Sequence, residues 1–273
     1  DEVICDRLSH IYNYEGGGVA RNSGASVRLL NGDRGCFDAT SAMAEINPID
    51  SHYARTSLVC VEDTCNKGGG SVWEFDALKS LSEACKANRL QLHLDGARCW
   101  NAMIHRGGPE MPAPEVWRAY GQLFDSISIC FSKGMGAPVG SVVLGSKSFI
   151  QEAHRTRKVL GGGMRQIGGL AAACLHAIDH QLPLLSVDHQ HAHQLGAALE
   201  QASFVSHVDA VQTNIVIFEL NASLTADDFV AWAAKSGFLC FAFGPQKVRF
   251  VTHRDVSNSQ IQEVCDRISS AQF

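Results

Sequence analysis

In ISICFSKGMGAPVG, residues 127–140, Lys133 follows a short apolar run and is surrounded by small residues. A second apolar run leads into HLDGAR, residues 93–98, and ends at Asp95. Short apolar runs bounded by turn residues are typical of buried strands in a parallel sheet. The carboxyl ends of such strands meet at one edge of the sheet, so we expect Lys133 and Asp95 to lie at the same edge.

A lysine and an aspartate at two strand ends meet the chemical needs of pyridoxal phosphate (PLP). The lysine forms a Schiff base with the cofactor aldehyde, and the aspartate keeps the pyridine nitrogen protonated so that the ring accepts electrons. Taken singly, Asp95 with Arg98 one turn later suits a helix cap and a surface ion pair, and Lys133 suits a solvated side chain. The pair, with Gly134 and Gly136 allowing close approach, favours the catalytic interpretation.

The composition argues against several other classes of protein. The 273 residues are 45% hydrophobic and 19% charged, which allows a sizeable core, and a formal net charge of −5 gives no footprint for nucleic acid. The sequence has no apolar run as long as a membrane span and no signal-peptide pattern. The ten cysteines form no CxxC pair and lie mostly in apolar segments, which indicates reduced thiols in a cytoplasmic protein.

The order of segments predicts two domains. Strand-like and helical segments alternate over residues 1–174, which indicates an α/β domain whose mostly parallel sheet is covered by helices on both faces. A helical start rich in aromatic residues is expected in the segment from Ile11 to Ala25, after the first strand. Residues 175–273 are expected to form a smaller α+β domain. Because the chain opens inside a strand-like segment, we expect it to be part of a longer protein whose N-terminal portion is missing.

Other residues in these segments could bind ligands. His10 follows the first strand, where a flat imidazole could lie against a cofactor ring, although an isolated histidine is more often structural. Lys158 and Arg165 flank glycines 161–163, and this pattern fits either a phosphate cradle or a solvated basic helix face. Arg249 alternates with apolar neighbours on a strand and could hold a carboxylate with its guanidinium fork.

The histidines between residues 176 and 193 are a weaker candidate for a metal site. Two pairs are spaced four residues apart, which places each pair on one side of a helix: His176 with His180 and His189 with His193. Few carboxylates accompany them at ligand spacing, so the sequence predicts polar helix faces and no metal.

Several motifs together resemble one family of PLP enzymes. They are SHIYNYE at 9–15, HLDGAR at 93–98, SKGMGAPVGS at 132–141, GGGMRQ at 161–166 and RFVTH at 249–253. In order and spacing they are similar to those of low-specificity L-threonine aldolases. This family lies in the aspartate aminotransferase superfamily (fold type I) and is related to β-eliminating lyases. The resemblance implies a three-layer PLP-binding domain over residues 1–174 and a small C-terminal domain.

The resemblance also implies how a cofactor would be held. Lys133 would form the Schiff base, Asp95 would pair with the pyridine nitrogen, and His10 would stack on the ring. Lys158 and Arg165 would reach the phosphate of a cofactor in a neighbouring subunit, because the family is tetrameric with active sites at dimer interfaces. The family's N-terminal Gly-Thr loop, which grips the phosphate, is not found in the sequence.

On the substrate side the resemblance assigns Arg98 and Arg249 to the substrate carboxylate. Where the family usually reads Glu-Asn-Thr-His-Asn, this chain has EDTCN at residues 62–66. Cys65 therefore replaces a histidine placed near the substrate hydroxyl, which leaves His10 or a bound water as the proton acceptor.

The expected activity is PLP-dependent cleavage of L-threonine and L-allo-threonine to glycine and acetaldehyde, a carbon–carbon lyase reaction through a quinonoid intermediate. One alternative is β-elimination, or cleavage of another β-hydroxy-α-amino acid, on the same scaffold. A second alternative is a non-catalytic fragment that serves as an assembly partner. The expected partners are a small amino-acid substrate and further copies of the chain, without nucleic acid or membrane.

Overall fold

The protein consists of two compact units, Asp1–Leu182 and Pro183–Phe273, in a computed structural model that describes residues 1–107 and 112–273. The sequence predicted the boundary between residues 174 and 175. The boundary lies later because the helix Gly168–His180 belongs to the first unit.

The first unit is built on a six-stranded sheet in the order β2-β1-β3-β4-β5-β6. Its strands are β1 (Glu2–Asp6), β2 (Ser26–Leu30), β3 (Thr56–Glu62), β4 (Gln91–Gly96), β5 (Ser126–Cys130) and β6 (Ser141–Gly145). The first five strands are mutually parallel, and β6 pairs antiparallel with β5. The carboxyl ends of β1, β3, β4 and β5 therefore open onto one edge of the sheet.

Helices connect these strands. They are α1 (His10–Asn13), α2 (Gly18–Ser23), α3 (Ala39–Ala44), α4 (Phe75–Ala87), α5 (Cys99–Gly107), α6 (Pro114–Gly121), α7 (Lys147–Val159) and α8 (Gly168–His180), with a 3-10 turn at Glu15–Gly17. The helical start expected between Ile11 and Ala25 is present as α1, but the segment does not continue as one helix. Gly16 and Gly17 adopt φ values of 62° and 71°, and this left-handed backbone separates α1 from α2.

The core of the first unit lies under β1, β3 and β4, where Ile4, Val59 and Leu94 are fully buried. Helix α4 contributes Leu78 and Leu81, one turn apart on its buried face. Burial decreases toward the outer strand, since every residue of β6 is exposed. Among the described residues of α7 and α8, Ala177 alone is buried.

The second unit packs helices against a four-stranded antiparallel sheet in the order β7-β8-β10-β9. Its elements are a 3-10 turn (Leu182–Leu184) at its start, α9 (Leu185–Glu200), β7 (Val205–Val208), β8 (Ile215–Leu220), α10 (Ala226–Lys235), β9 (Phe241–Ala242), β10 (Lys247–Val251) and α11 (Asn258–Ser270). The aromatic rings of Phe218, Phe229 and Phe250 form its centre. A mostly parallel α/β unit followed by a small α+β unit confirms the predicted fold class.

The sequence predicted that the histidines of α9 lie on polar helix faces. This prediction was wrong for two of them. His189 and His191 are buried, and Nε2 of His191 lies 2.5 Å from Oδ1 of Asn258. Among the described residues, no group of three or more His, Cys, Asp or Glu side chains could hold a metal ion.

Within the described parts of the chain, no single helix combines the length and the apolar composition needed to cross a membrane. Helix α8 and the segment from Leu182 to Glu200 reach that length and composition only when taken together across the break between them.

Candidate active site

Asp95 and Lys133 follow neighbouring parallel strands. Asp95 lies near the end of β4 and is the register partner of Ser128 on β5. Strand β5 ends at Cys130, and the chain reaches Lys133 three residues later. A carboxylate and a primary amine are thus carried by adjacent strands at the same sheet edge, as the sequence predicted.

A tight turn presents Lys133. The carbonyl of Lys133 accepts a hydrogen bond from the Gly136 N–H (2.8 Å), and the carbonyl of Phe131 accepts one from the Ala137 N–H (3.0 Å). Gly136 has φ +70°, which favours glycine there. Phe131 and Met135 are buried and anchor the turn, whereas Lys133 is exposed with Nζ 3.6 Å from Sγ of Cys130. The backbone of the turn is therefore anchored, and the Lys133 amine remains accessible to a ligand.

Asp95 is half-buried, and its Oδ1 accepts a hydrogen bond from the Ala97 N–H at 3.2 Å. His93 precedes it by two residues, so both side chains are on the same face of β4. Nδ1 of His93 lies 2.8 Å from Oγ of Ser126, and burial lowers the pKa of this imidazole. A neutral His93 adds no positive charge beside the Asp95 carboxylate.

Glu62, the last residue of β3, is buried beside this pair and is the register partner of Asp95. Its Oε2 accepts the His10 N–H at 2.8 Å, and its Oε1 accepts the Asn66 N–H at 2.9 Å. Burial raises the pKa of Glu62 to about 7, and the nearby charge of Asp95 acts in the same direction. The sequence analysis gave Glu62 no role, although a carboxylate that ends an apolar strand run is a recognisable signal.

His10 begins α1 at the end of the β1 loop. Its imidazole Nε2 lies 2.7 Å from Oε1 of Glu15, and its ring centroid is 4.6 Å from that of Tyr14. The ring is partly exposed at the sheet edge, where a ligand can reach it.

Cys65 is buried in the loop after β3 rather than presented to solvent. The loop is closed by paired backbone hydrogen bonds between Cys65 and residues 70 and 71. A Cβ placed on Gly35, whose φ is +90°, would lie 2.3 Å from the Cys65 sulfur. Burial raises the pKa of the Cys65 thiol, so the thiol stays protonated near neutral pH.

The predicted substrate arginines lie in different units. In the first unit, Nη1 of Arg98 donates to Oδ1 of Asn66 at 3.4 Å. In the second unit, Arg249 lies on β10 with its guanidinium 4.9 Å from the ring centroid of Phe243 and 5.7 Å from that of Phe241.

The predicted phosphate cations are exposed around the glycine run that follows α7. Lys158 lies in the last turn of α7, and Arg165 lies before α8. A Cβ on Gly163 would come within 2.6 Å of Cδ of Lys158, so the glycine allows the lysine to pack against the backbone.

A buried ion pair supports the loop next to Glu62. Asp63 is fully buried, and its Oδ2 accepts hydrogen bonds from Nη2 of Arg106 (2.8 Å) and from the Tyr120 hydroxyl (2.8 Å). The Trp73 N–H donates to Oδ1 at 3.3 Å. The sequence analysis did not find this cluster, because its members are far apart along the chain.

Comparison with known proteins agrees with this architecture. The family model described as beta-eliminating lyase matches residues 1–223. The chain belongs to the beta-eliminating lyase family. It is 36% identical over 266 residues to low-specificity L-threonine aldolase 1 of Arabidopsis thaliana, covering 95% of this chain and 72% of that protein. It is 34% identical over 266 residues to the low specificity L-threonine aldolase of Escherichia coli strain K12, covering 97% and 75%.

Solved structures of this family have the same fold. A putative L-allo-threonine aldolase from Listeria monocytogenes superposes with a TM-score of 0.80 at 20% identity, covering 98% of this chain and 74% of that chain. The Leishmania major threonine aldolase gives 0.79 at 20% identity, with 98% and 78% covered. The family resemblance inferred from the motifs is therefore confirmed, and so is the PLP-enzyme fold. The roles of the individual site residues remain predictions.

Proposed function

We propose that the protein cleaves L-threonine and L-allo-threonine to glycine and acetaldehyde with PLP as its cofactor. The observation that carries the proposal is the placement of Asp95 and Lys133 on adjacent parallel strands at one sheet edge. The names of the plant and bacterial relatives support the choice of substrate.

The residues present fit PLP by their chemistry. Lys133 offers an exposed amine, and Asp95 offers a half-buried carboxylate with one backbone N–H on it. His10 offers a partly exposed flat ring. Lys158 and Arg165 are exposed cations suited to a phosphate. When bound, PLP supplies an aldehyde carbon that amines attack and a conjugated ring that takes up the electrons released at the substrate α-carbon.

The protein's own groups would orient the substrate and move its protons. Arg98 and Arg249 provide guanidinium forks for the substrate carboxylate. Lys133 would be the covalent attachment point for PLP, and its amine could return a proton to the substrate α-carbon. Asp95 would stabilise the positive charge of the protonated pyridine nitrogen.

His10 is the better acceptor for the β-hydroxyl proton. Cys65 occupies the position where the family usually has histidine, but burial raises the pKa of its thiol, and a protonated thiol cannot accept a proton. The imidazole of His10 is partly exposed, and its Nε2 lies 2.7 Å from Oε1 of Glu15, which orients the ring. Cys65 then fills space beside Gly35 at the rim of the substrate site.

Assembly and location belong to the same proposal. The exposed apolar side chains of β6 and of the segment around α7 and α8 suit burial against further copies of the chain, and a homotetramer would bring Lys158 and Arg165 to a neighbouring site. Five of these side chains are Val142, Val143, Leu144, Leu160 and Met164. We also propose a cytoplasmic location, which would keep the ten cysteines reduced. Light scattering in solution reports the oligomer directly.

Lys133→Ala tests the proposal. The variant is expected to lose the near-visible absorbance of lysine-bound PLP and nearly all threonine cleavage, because the covalent attachment point is gone. Lys147→Ala, an exposed lysine at the start of α7, is the matched control and should keep both. An unchanged spectrum in Lys133→Ala would refute the role of this lysine.

Product analysis separates aldol cleavage from β-elimination, which the family name keeps open. Threonine, allo-threonine, phenylserine and cysteine are offered in turn. Aldol cleavage yields glycine and an aldehyde, whereas β-elimination yields a keto acid and ammonia. Keto acid without glycine would overturn the proposed reaction.

A further inference from the structure

The Glu62 carboxylate connects two loops that carry candidate site residues. It is 5% exposed at the end of β3, between β1 and β4 in the sheet order. One oxygen accepts the His10 N–H and the other accepts the Asn66 N–H, at 2.8 and 2.9 Å. Each of its two oxygens is therefore committed to the backbone of a different loop.

The groups held in this way are those that the proposed reaction needs. The first bond fixes the start of α1, from which the His10 imidazole projects. The second bond fixes Asn66, whose side-chain oxygen accepts a hydrogen bond from Nη1 of Arg98 at 3.4 Å. Glu62 is also the register partner of Asp95. One side chain thus joins the loops of β1 and β3 next to the carboxylate on β4.

We propose that Glu62 is a positioning residue of the active site, whose ionised carboxylate holds His10 and Asn66, and through Asn66 Arg98, in place beside Asp95. This inference rests on the proposed function for its catalytic meaning. Its structural part, the clamp on two backbone amides, stands on the geometry alone.

The charge state of Glu62 controls the strength of the clamp. An ionised carboxylate accepts at both oxygens, whereas a protonated one turns one oxygen into a donor that faces an N–H group. Burial raises the pKa of Glu62 to about 7, so the switch falls in the neutral range. The titratable groups that face it are Asp95 on β4, His10 after β1, and the thiols of Cys5, Cys60 and Cys65.

The three thiols do not complicate this titration. Burial raises the pKa of Cys5 to about 12 and raises those of Cys60 and Cys65 as well, so all three are neutral near pH 7. Asp95 is the group whose charge opposes ionisation of Glu62, and the two N–H donors favour it. The geometry, with one N–H group on each oxygen, therefore belongs to the ionised carboxylate.

Hydrogen exchange of the His10 and Asn66 backbone amides tests the clamp in the protein without cofactor. In Glu62→Gln the carboxamide can accept only one of the two N–H groups, so at least one amide should exchange about tenfold faster or more. Glu83→Gln, an exposed carboxylate on α4, is the matched control and should leave both rates unchanged. Equal protection in all three proteins would overturn the proposal.

Glu62→Asp provides a second test if Glu62→Gln does not fold. The shorter carboxylate cannot reach both N–H groups from the same backbone position, so protection of at least one of the two amides should fall. Unchanged protection of both amides would overturn the clamp.

The catalytic meaning is tested by the pH profile of kcat/KM with L-threonine. The wild-type enzyme should lose activity below about pH 7, and Glu62→Gln should be about tenfold or more less active, with a pH profile that no longer contains the ionisation of Glu62. An unchanged kcat/KM in Glu62→Gln would refute positioning of the site. If the wild-type holoenzyme cleaves no threonine, the proposed function fails while the exchange data still decide the clamp.

Discussion

Replacing Asp63 by asparagine tests how strongly the buried ion pair stabilises the first unit. Asparagine stands at this position in the motif that EDTCN resembles, and its side chain has nearly the same shape as that of aspartate. The Asp63 side chain is fully buried, and that of Arg106 is 11% exposed. Asparagine can still accept a hydrogen bond through its carbonyl oxygen, but it leaves the guanidinium without a counter-charge.

Removing one partner of a buried ion pair typically costs about 3–5 kcal/mol. Arg106 keeps its contact with the Tyr120 ring, 4.9 Å from the centroid, and its hydrogen bond to the Trp73 carbonyl, so we expect the lower end of this range. For a unit of this size, about 3 kcal/mol lowers the melting temperature by roughly 6–12 °C. Trp73 is buried against the pair, so tryptophan fluorescence follows the transition.

A double variant distinguishes the ion pair from simple loss of packing. Asp63→Asn with Arg106→Met removes both charges, and it should be more stable than the sum of the two single effects predicts. Asp179→Asn on the exposed end of α8 is the control and should melt with the wild-type protein. The reasoning fails if Asp63→Asn melts within about 2 °C of wild type, or if the two single effects simply add.

Two further changes act on the same sheet edge. Gly35→Ala should destabilise the first unit by about 2–4 kcal/mol in urea unfolding, because the new Cβ meets the Cys65 sulfur at 2.3 Å on a backbone with φ +90°. Gly24→Ala, with φ +61° and open space around it, should cost only about 1 kcal/mol, and equal losses would contradict the close contact. The raised pKa of Glu62, about 7 against an ordinary 4.5, means that the folded protein binds more protons than the unfolded protein between these pH values. The free energy of unfolding of the wild type, relative to that of Glu62→Gln, should therefore fall by up to about 3 kcal/mol from pH 4.5 to pH 7. A difference that does not depend on pH would exclude this titration.

Much of the secondary structure could be predicted because local patterns determined it. The alternating strand-like and helical segments of residues 1–174 predicted a mostly parallel sheet, and five of the six strands there are parallel. Helix α5 was not predicted, because its nine residues are fewer than the stretch over which helical periodicity becomes recognisable. The break between α1 and α2 depends on the φ angles of two glycines, which hydrophobic periodicity does not report.

The strand-end residues of the site could be predicted for a similar reason. Asp95 and Lys133 each follow an apolar run, and parallel strands bring such positions to one edge. The part played by Glu62 depends on backbone amides of two other loops, and that of Asp63 depends on Arg106 and Tyr120, which are 43 and 57 residues away. A carboxylate at a strand end can also face solvent, so the sequence alone does not distinguish a buried clamp from a surface charge.

The turn that carries Lys133 joins β5 to β6, the strand at the margin of the sheet whose residues are all exposed. Lys133, the proposed attachment point of the cofactor, thus adjoins the part of the sheet with the least buried surface, where local opening costs the least free energy. During gradual heating, loss of the covalent cofactor link should therefore precede melting of the β1, β3 and β4 core. Ligands that restrain this margin would prolong the active lifetime of the enzyme without raising the temperature at which the core unfolds.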